Sequence, residues 1–119
     1  MIDCIAFESL YNKQVEFQKN IVKVKPYDFE VGNLPEDNIK GFSFHIQQLM
    51  SELGEVLSAD KRWKNFRNEK YDLENKKEEI ADCFIVLMNV AIFSGLTAND
   101  LEKAILSKIN QNNKRIEST

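Results

Sequence analysis

Two acidic pairs stand out among the residues able to do chemistry: Glu52-x-x-Glu55 and, further along, Glu79-x-x-Asp82. On a helix, residues three apart stand on one side, one turn from each other. Two such helices lying side by side would bring four carboxylates together. Neither pair has a Lys or Arg four residues on, since positions 56, 59, 83 and 86 are Val, Ala, Cys and Val. Crowded like charges repel, and an unpaired buried carboxylate is costly. A hard divalent cation that prefers oxygen ligands resolves that conflict, and Mg²⁺ is the expected one, with Mn²⁺ as its substitute. Acids that hold Mg²⁺ generally do so to engage phosphate.

A second group lies near the C-terminal end. Leu101, Ala104 and Ile105 begin an apolar helical stripe whose angular face continues as Lys108, Asn112 and Arg115. Two cations and an amide aimed inward need an anion, either the carboxylates or a phosphate chain. The plainer alternative is a final helical turn whose basic residues complement the negative helix end. Between the acidic pairs, Lys61, Arg62, Lys64, Arg67 and Lys70 alternate with Trp63 and Phe66. Such a segment can draw in polyphosphate while Trp63 stacks on a base, or it can be a solvated loop with an aromatic anchor. Asn89 falls two turns beyond Asp82 on the same face. It is expected to read a base edge, to pair across a dimer axis, or to satisfy a local hydrogen bond. Gln14 and Phe17 are candidates for a base-pocket wall or for core packing. His45, the one histidine, is read as a surface residue.

The elements that position these groups follow from periodicity. Strand-like alternation is absent, and apolar residues recur at helical spacing, which predicts four helices and an all-α domain. The first spans about Cys4 to Val22. Pro26, Gly32 and Pro35 mark an irregular connector. Pro35, Glu36 and Asp37 suit the first turn of a second helix running to about Asp60, with Phe42, Ile46, Leu49, Leu53, Val56 and Leu57 as its buried stripe and a kink or late start near Gly41. Lys61 to Lys77 reads as a polar loop. A third helix, roughly Leu73 to Ser94, stops at Gly95. Thr97 and Asp100 then have capping-box spacing for the fourth. From Cys83 to Phe93 the third helix is apolar around nearly its whole circumference, so it must be buried on all sides. In a bundle this small, a second subunit is needed to cover one flank. A homodimer, or a homotetramer built from two, is expected.

At 119 residues the chain is one domain with room for a core. Its net charge of −3 argues against general nucleic-acid binding. Its two cysteines, Cys4 and Cys83, form no metal or disulfide pattern, which fits a reducing cytoplasm. Met1-Ile2-Asp3-Cys4 lacks the basic opening of a signal peptide, and the Cys83–Phe93 run is too short for a membrane span. A soluble cytoplasmic protein is expected.

The acidic pairs followed by Lys108-x-x-x-Asn112-x-x-Arg115 resemble the MazG-type all-α nucleotide pyrophosphohydrolases, a superfamily that includes all-α dUTPases and dCTP pyrophosphatases. The similar stretch spans about Leu49 to Arg115 and includes Ser51-Glu52-Leu53-Gly54-Glu55 and Glu78-Glu79-Ile80-Ala81-Asp82. The resemblance implies a four-helix bundle in which Glu52, Glu55, Glu79 and Asp82 ligate Mg²⁺ and Lys108, Asn112 and Arg115 hold the triphosphate of a nucleotide. It also implies hydrolysis between the α and β phosphates, giving monophosphate and pyrophosphate. The residues leave open which acid orients the attacking water, and Glu55 is the one expected to. Two rivals remain. A di-iron or di-manganese carboxylate bundle needs Glu-x-x-His motifs, and no histidine follows any of these acids at that spacing. A catalytically silent helical dimer that binds a protein partner needs only the helices.

Overall fold

Helical periodicity becomes four helices in a computed structural model of the chain, which describes residues 6–25, 27, 29–31, 38–60 and 73–118. They are α1 (Phe7–Val24), α2 (Ile39–Ala59), α3 (Leu73–Phe93) and α4 (Ala98–Glu117), with no strand among the described residues. The expected first turn at Pro35 and the charged segment carrying Trp63 lie outside the described residues.

The central unit is the antiparallel pair α2 and α3. Gly41 on α2 lies against Phe93 on α3, so closely that a Cβ there would stand 2.3 Å from the Phe93 ring. The described helix begins at Ile39, two residues before Gly41, in line with a late start there, and Gly41 lets two helices approach where a side chain would hold them apart. Four residues along, His45 meets Asn89, and beyond them Glu55 meets Glu79. At the far end Lys76 forms a partly buried ion pair with Asp60.

This register corrects the expected stripe of α2. The buried residues are Gly41, His45 and Ala59, whereas Phe42, Leu53 and Leu57 are exposed. Ile46, Leu49 and Val56 of that stripe are half-buried, so the stripe borders the buried face and is in part covered. Likewise, α3 is not covered all round. Val86, Asn89, Ala91, Ile92 and Phe93 are buried, but Phe84 is 64% exposed and Leu87 is also exposed.

A small core joins α1, α3 and α4 through Tyr11, Ala91, Ile92 and Ala98, with Phe7, Val15, Met88 and Leu101 packed around them. The Tyr11 hydroxyl donates to the Leu96 carbonyl at 2.7 Å. Burial, with a smaller contribution from Asp100, pushes its pKa up to about 12, so it remains a donor. The expected stop at Gly95 is a Schellman turn, with φ at +81° and amides of Gly95 and Leu96 returning to the Ile92 and Ala91 carbonyls at 3.1 Å. The expected capping box at Thr97 and Asp100 is also formed.

Between α3 and α4 the chain axis turns through 113°. After Leu101, α4 is exposed along its length. The protein is consequently open. Its radius of gyration is 17.5 Å, against about 13–14 Å for a compact domain of this length. Its accessible surface is 9297 Å², where a monomer of this mass is expected to show roughly 6,600 Å². No single helix among the described residues is long and apolar enough to cross a membrane.

Candidate metal and ligand site

The antiparallel register sets both acidic pairs at one level of the α2–α3 seam. Ligand oxygens of Glu52, Glu55 and Glu79 all lie within 4.8 Å of one another. Opposed oxygens on one Mg²⁺ stand about 4.2 Å apart, so small side-chain rotations suffice to share an ion. Oε2 of Glu52 and Oε2 of Glu79 are buried and meet no hydrogen-bond partner among the described residues. Burial first, then the Glu55 charge and a hydrogen bond shared with Glu55, hold the Glu52 carboxyl above the usual range. Glu79 is raised by burial, by its hydrogen bond to Glu55, and by the charges of Glu55 and Asp82. The oxygens are hard, negative and partly dry, and they fit a divalent cation of the Mg²⁺ class.

Asp82 is adjacent, since its charge raises both Glu52 and Glu79, but it falls outside the 4.8 Å set. Three of the four expected ligands therefore form the tight group. Cys83 sits behind them, and burial followed by the surrounding acids pushes its thiol up. It stays protonated and is a poor nucleophile.

Beside the acids opens a cleft of about 330 Å³, walled by α1, α2, α3 and the connector. Glu52 and Asp82 form one end of its lining, and Asn89, Gln14, Gln48 and His45 contribute polar groups further in. Gln14 Nε2 donates to Asn89 Oδ1 at 2.8 Å. Asn89 is thus satisfied within the chain and does not pair across a dimer axis, though it still borders the cleft. Gln14 and Phe17 line the same wall.

His45 is a correction. It is 3% exposed, stacked on Phe93 at 5.2 Å and edge-on to Phe29 and Phe44. The signal was present in the sequence: His45 precedes Glu52 by seven residues as Asn89 follows Asp82 by seven, two turns on the same face in both helices. Burial lowers its pKa, against a smaller opposing effect of Gln48, so the imidazole is neutral.

Lys108, Asn112 and Arg115 are a second correction. All three are exposed, as are Ala104 and Ile105 before them. The 113° corner carries the stripe away from the α2–α3 seam, so within one chain these groups do not meet the carboxylates. Trp63 lies outside the described residues. Comparison with protein-family models, with curated proteins and with solved structures finds no match.

Proposed function

We propose that this chain is a Mg²⁺-dependent nucleoside triphosphate pyrophosphohydrolase of the MazG-type all-α kind, acting as a cytoplasmic homodimer. The observation that carries the reading is the meeting of Glu52, Glu55 and Glu79 within 4.8 Å, with two buried oxygens that no donor among the described residues satisfies. A surface acidic patch would leave its oxygens in water. When bound, Mg²⁺ would offset phosphate charge and lower the pKa of a coordinated water. Glu52, Glu79 and Asp82 hold the acidic end of the site, and Glu55, hydrogen-bonded to both neighbours, is placed to orient the attacking water and take its proton. The water oxygen bonds to the α-phosphorus, the bond to the bridging oxygen breaks, and pyrophosphate leaves.

The dimer is supported by surface. The chain exposes about 2,700 Å² beyond a compact monomer of its size, more than three times the roughly 800 Å² that one partner contributes to a standard interface. Met50, Leu53 and Leu57 on α2, Phe84 and Leu87 on α3, and Leu106 and Ile109 on α4 supply the apolar part. In that assembly, Lys108, Asn112 and Arg115 receive the triphosphate. The same faces also suit a catalytically silent helical dimer that binds a protein. The unsatisfied carboxylates favour the enzyme.

The test is pyrophosphate release from deoxynucleoside triphosphates with Mg²⁺, repeated on Glu55→Gln and Asp82→Asn. Activity lost in both variants supports the proposal; no release from any triphosphate, or an equally active Glu55→Gln protein, refutes it. Thermal melting supplies a second readout. Mg²⁺ at a hundredfold its Kd stabilises by about 2.7 kcal/mol, and Glu79→Gln should abolish most of that gain.

A further inference from the structure

The most regular pattern in the chain runs along the outer side of α2. Ile39, Phe42, Ile46, Leu49, Leu53 and Val56 follow one another at alternating steps of three and four residues. Those are the a and d positions of a coiled-coil seam, and all six are apolar. The seam does not serve α3. Gly41 and His45 meet α3, about a quarter-turn round the helix at roughly 100° per residue. Ile39, Met50, Leu53 and Leu57 are each more than half exposed.

A shorter stripe on α3, Ile80, Phe84 and Leu87, is exposed as well. Both stripes are displaced in the same rotational sense from the α2–α3 contact. Because the two helices are antiparallel, that sense sets them on one face of a two-helix layer. The other face is the one α1 covers, where it walls the cleft, and α4 is exposed after Leu101. The bare face is about 26 Å long and about 19 Å wide, so it projects roughly 500 Å². That is the upper end for a monomer's largest apolar patch. With interdigitating side chains it is of the order of the roughly 800 Å² each partner gives to a standard interface.

Resting on the homodimer of the reading above and not on its chemistry, we propose that this face docks on the same face of a second copy. The two α2 helices lie antiparallel about a twofold axis between Gln47 and Gln48, and a four-helix bundle is completed between chains. In that register Ile39 meets Val56 of the other copy, Phe42 meets Leu53, and Ile46 meets Leu49. Every a position faces a d position, and none of the six is left over. Charge selects the direction. A parallel pair would set Glu52, Glu55, Glu79 and Asp82 of both copies at one level of the seam, where like charges repel. In the antiparallel pair the two Glu52 residues stand about 13 Å apart along the seam, beyond the Debye length of about 8 Å.

The experiment is sedimentation of the full chain, followed by distance measurement between spin labels attached after Lys40→Cys, Gln47→Cys or Gly54→Cys in a Cys4→Ser, Cys83→Ser chain. The three positions are exposed on one outward face of α2, so the labels leave the seam untouched. All variants should sediment as dimers, like the wild type. The Gln47 labels sit beside the axis and should be the closest pair, about 20 Å apart. The Lys40 and Gly54 labels are offset along the seam by about 20 Å and should read about 8 Å longer or more. Equal distances at the three positions would mean parallel helices. A shortest distance at Lys40 or Gly54, or no coupling within a dimer, would put the seam elsewhere. Either result overturns this proposal and leaves the homodimer standing. A wild type that sediments as a monomer overturns both, and pyrophosphate release from that monomer would leave the chemistry standing alone.

Discussion

Gly41→Ala should destabilise the protein although alanine is the better helix former. The added Cβ would meet Phe93 Cδ1 at 2.3 Å and Cε1 at 2.4 Å, whereas carbon contacts settle at about 3.5–4.0 Å. The overlap exceeds 1 Å. Phe93 is 2% exposed, with His45 stacked on it at 5.2 Å and Phe29 edge-on at 5.4 Å, so its ring has no free direction. Overpacking of this kind costs about 1–3 kcal/mol, against about 1 kcal/mol gained from helix propensity. An overlap beyond 1 Å belongs in the upper part of that range, about 2–3 kcal/mol, so the net loss is about 1–2 kcal/mol, or about 4–8 °C in Tm at about 4 °C per kcal/mol. Gly54 is the internal control: nothing lies within 4 Å of its added Cβ, so Gly54→Ala should gain up to about 1 kcal/mol. Melting followed by helical circular dichroism reads both. A Gly41→Ala protein as stable as the wild type would mean that α2 and α3 do not cross that closely, and the register that assembles the acids would fall with it.

Other outcomes follow from the same contacts. Glu52 and Glu79 bind protons more tightly folded than unfolded, so their share of stability is full below the ordinary value of 4.5 and is lost as pH rises through their raised values. Without Mg²⁺, Glu52→Gln should therefore melt above the wild type at pH 7.5, with the gap closing toward pH 4.5; a gap independent of pH refutes the crowding. His45 works in the opposite sense, its lowered pKa withdrawing stability as pH falls below 6.5, and taking the difference between the two proteins cancels it. Tyr11→Phe leaves the Leu96 carbonyl without its donor and should cost about 1–2 kcal/mol in denaturant unfolding. Leu53→Glu together with Phe84→Glu should convert the proposed dimer to a monomer in sedimentation; an unchanged sedimentation coefficient refutes an interface on these faces.

The local features were legible because each depends on a few adjacent residues. Gly95 and the Thr97–Asp100 box need only backbone geometry and short-range hydrogen bonds, and they formed where expected. The convergence of Glu52, Glu55 and Glu79 was legible from spacing, because antiparallel helices preserve it. The face that α2 turns inward was not. Phe42, Leu53 and Leu57 are the more hydrophobic stripe, but Gly41 permits a closer approach on the adjacent face, and helix spacing outweighed side-chain hydrophobicity. His45 followed from that choice: once Gly41 faces α3, so does His45. The direction of α4 was hidden for another reason. Helical periodicity describes a face relative to its own axis and carries no information about a 113° corner.

That corner makes α4 a lever arm. It is clamped at its root by the Tyr11 hydroxyl and the Schellman turn, and its twenty residues extend about 30 Å. A tilt of about 10° at the root would sweep the tip by about 5 Å, close to one helical turn. Substitutions at Tyr11, Leu96 or Ala98 can therefore shift Lys108 and Arg115 relative to whatever they serve while touching neither, so the angle of a four-residue joint governs alignment at a distance.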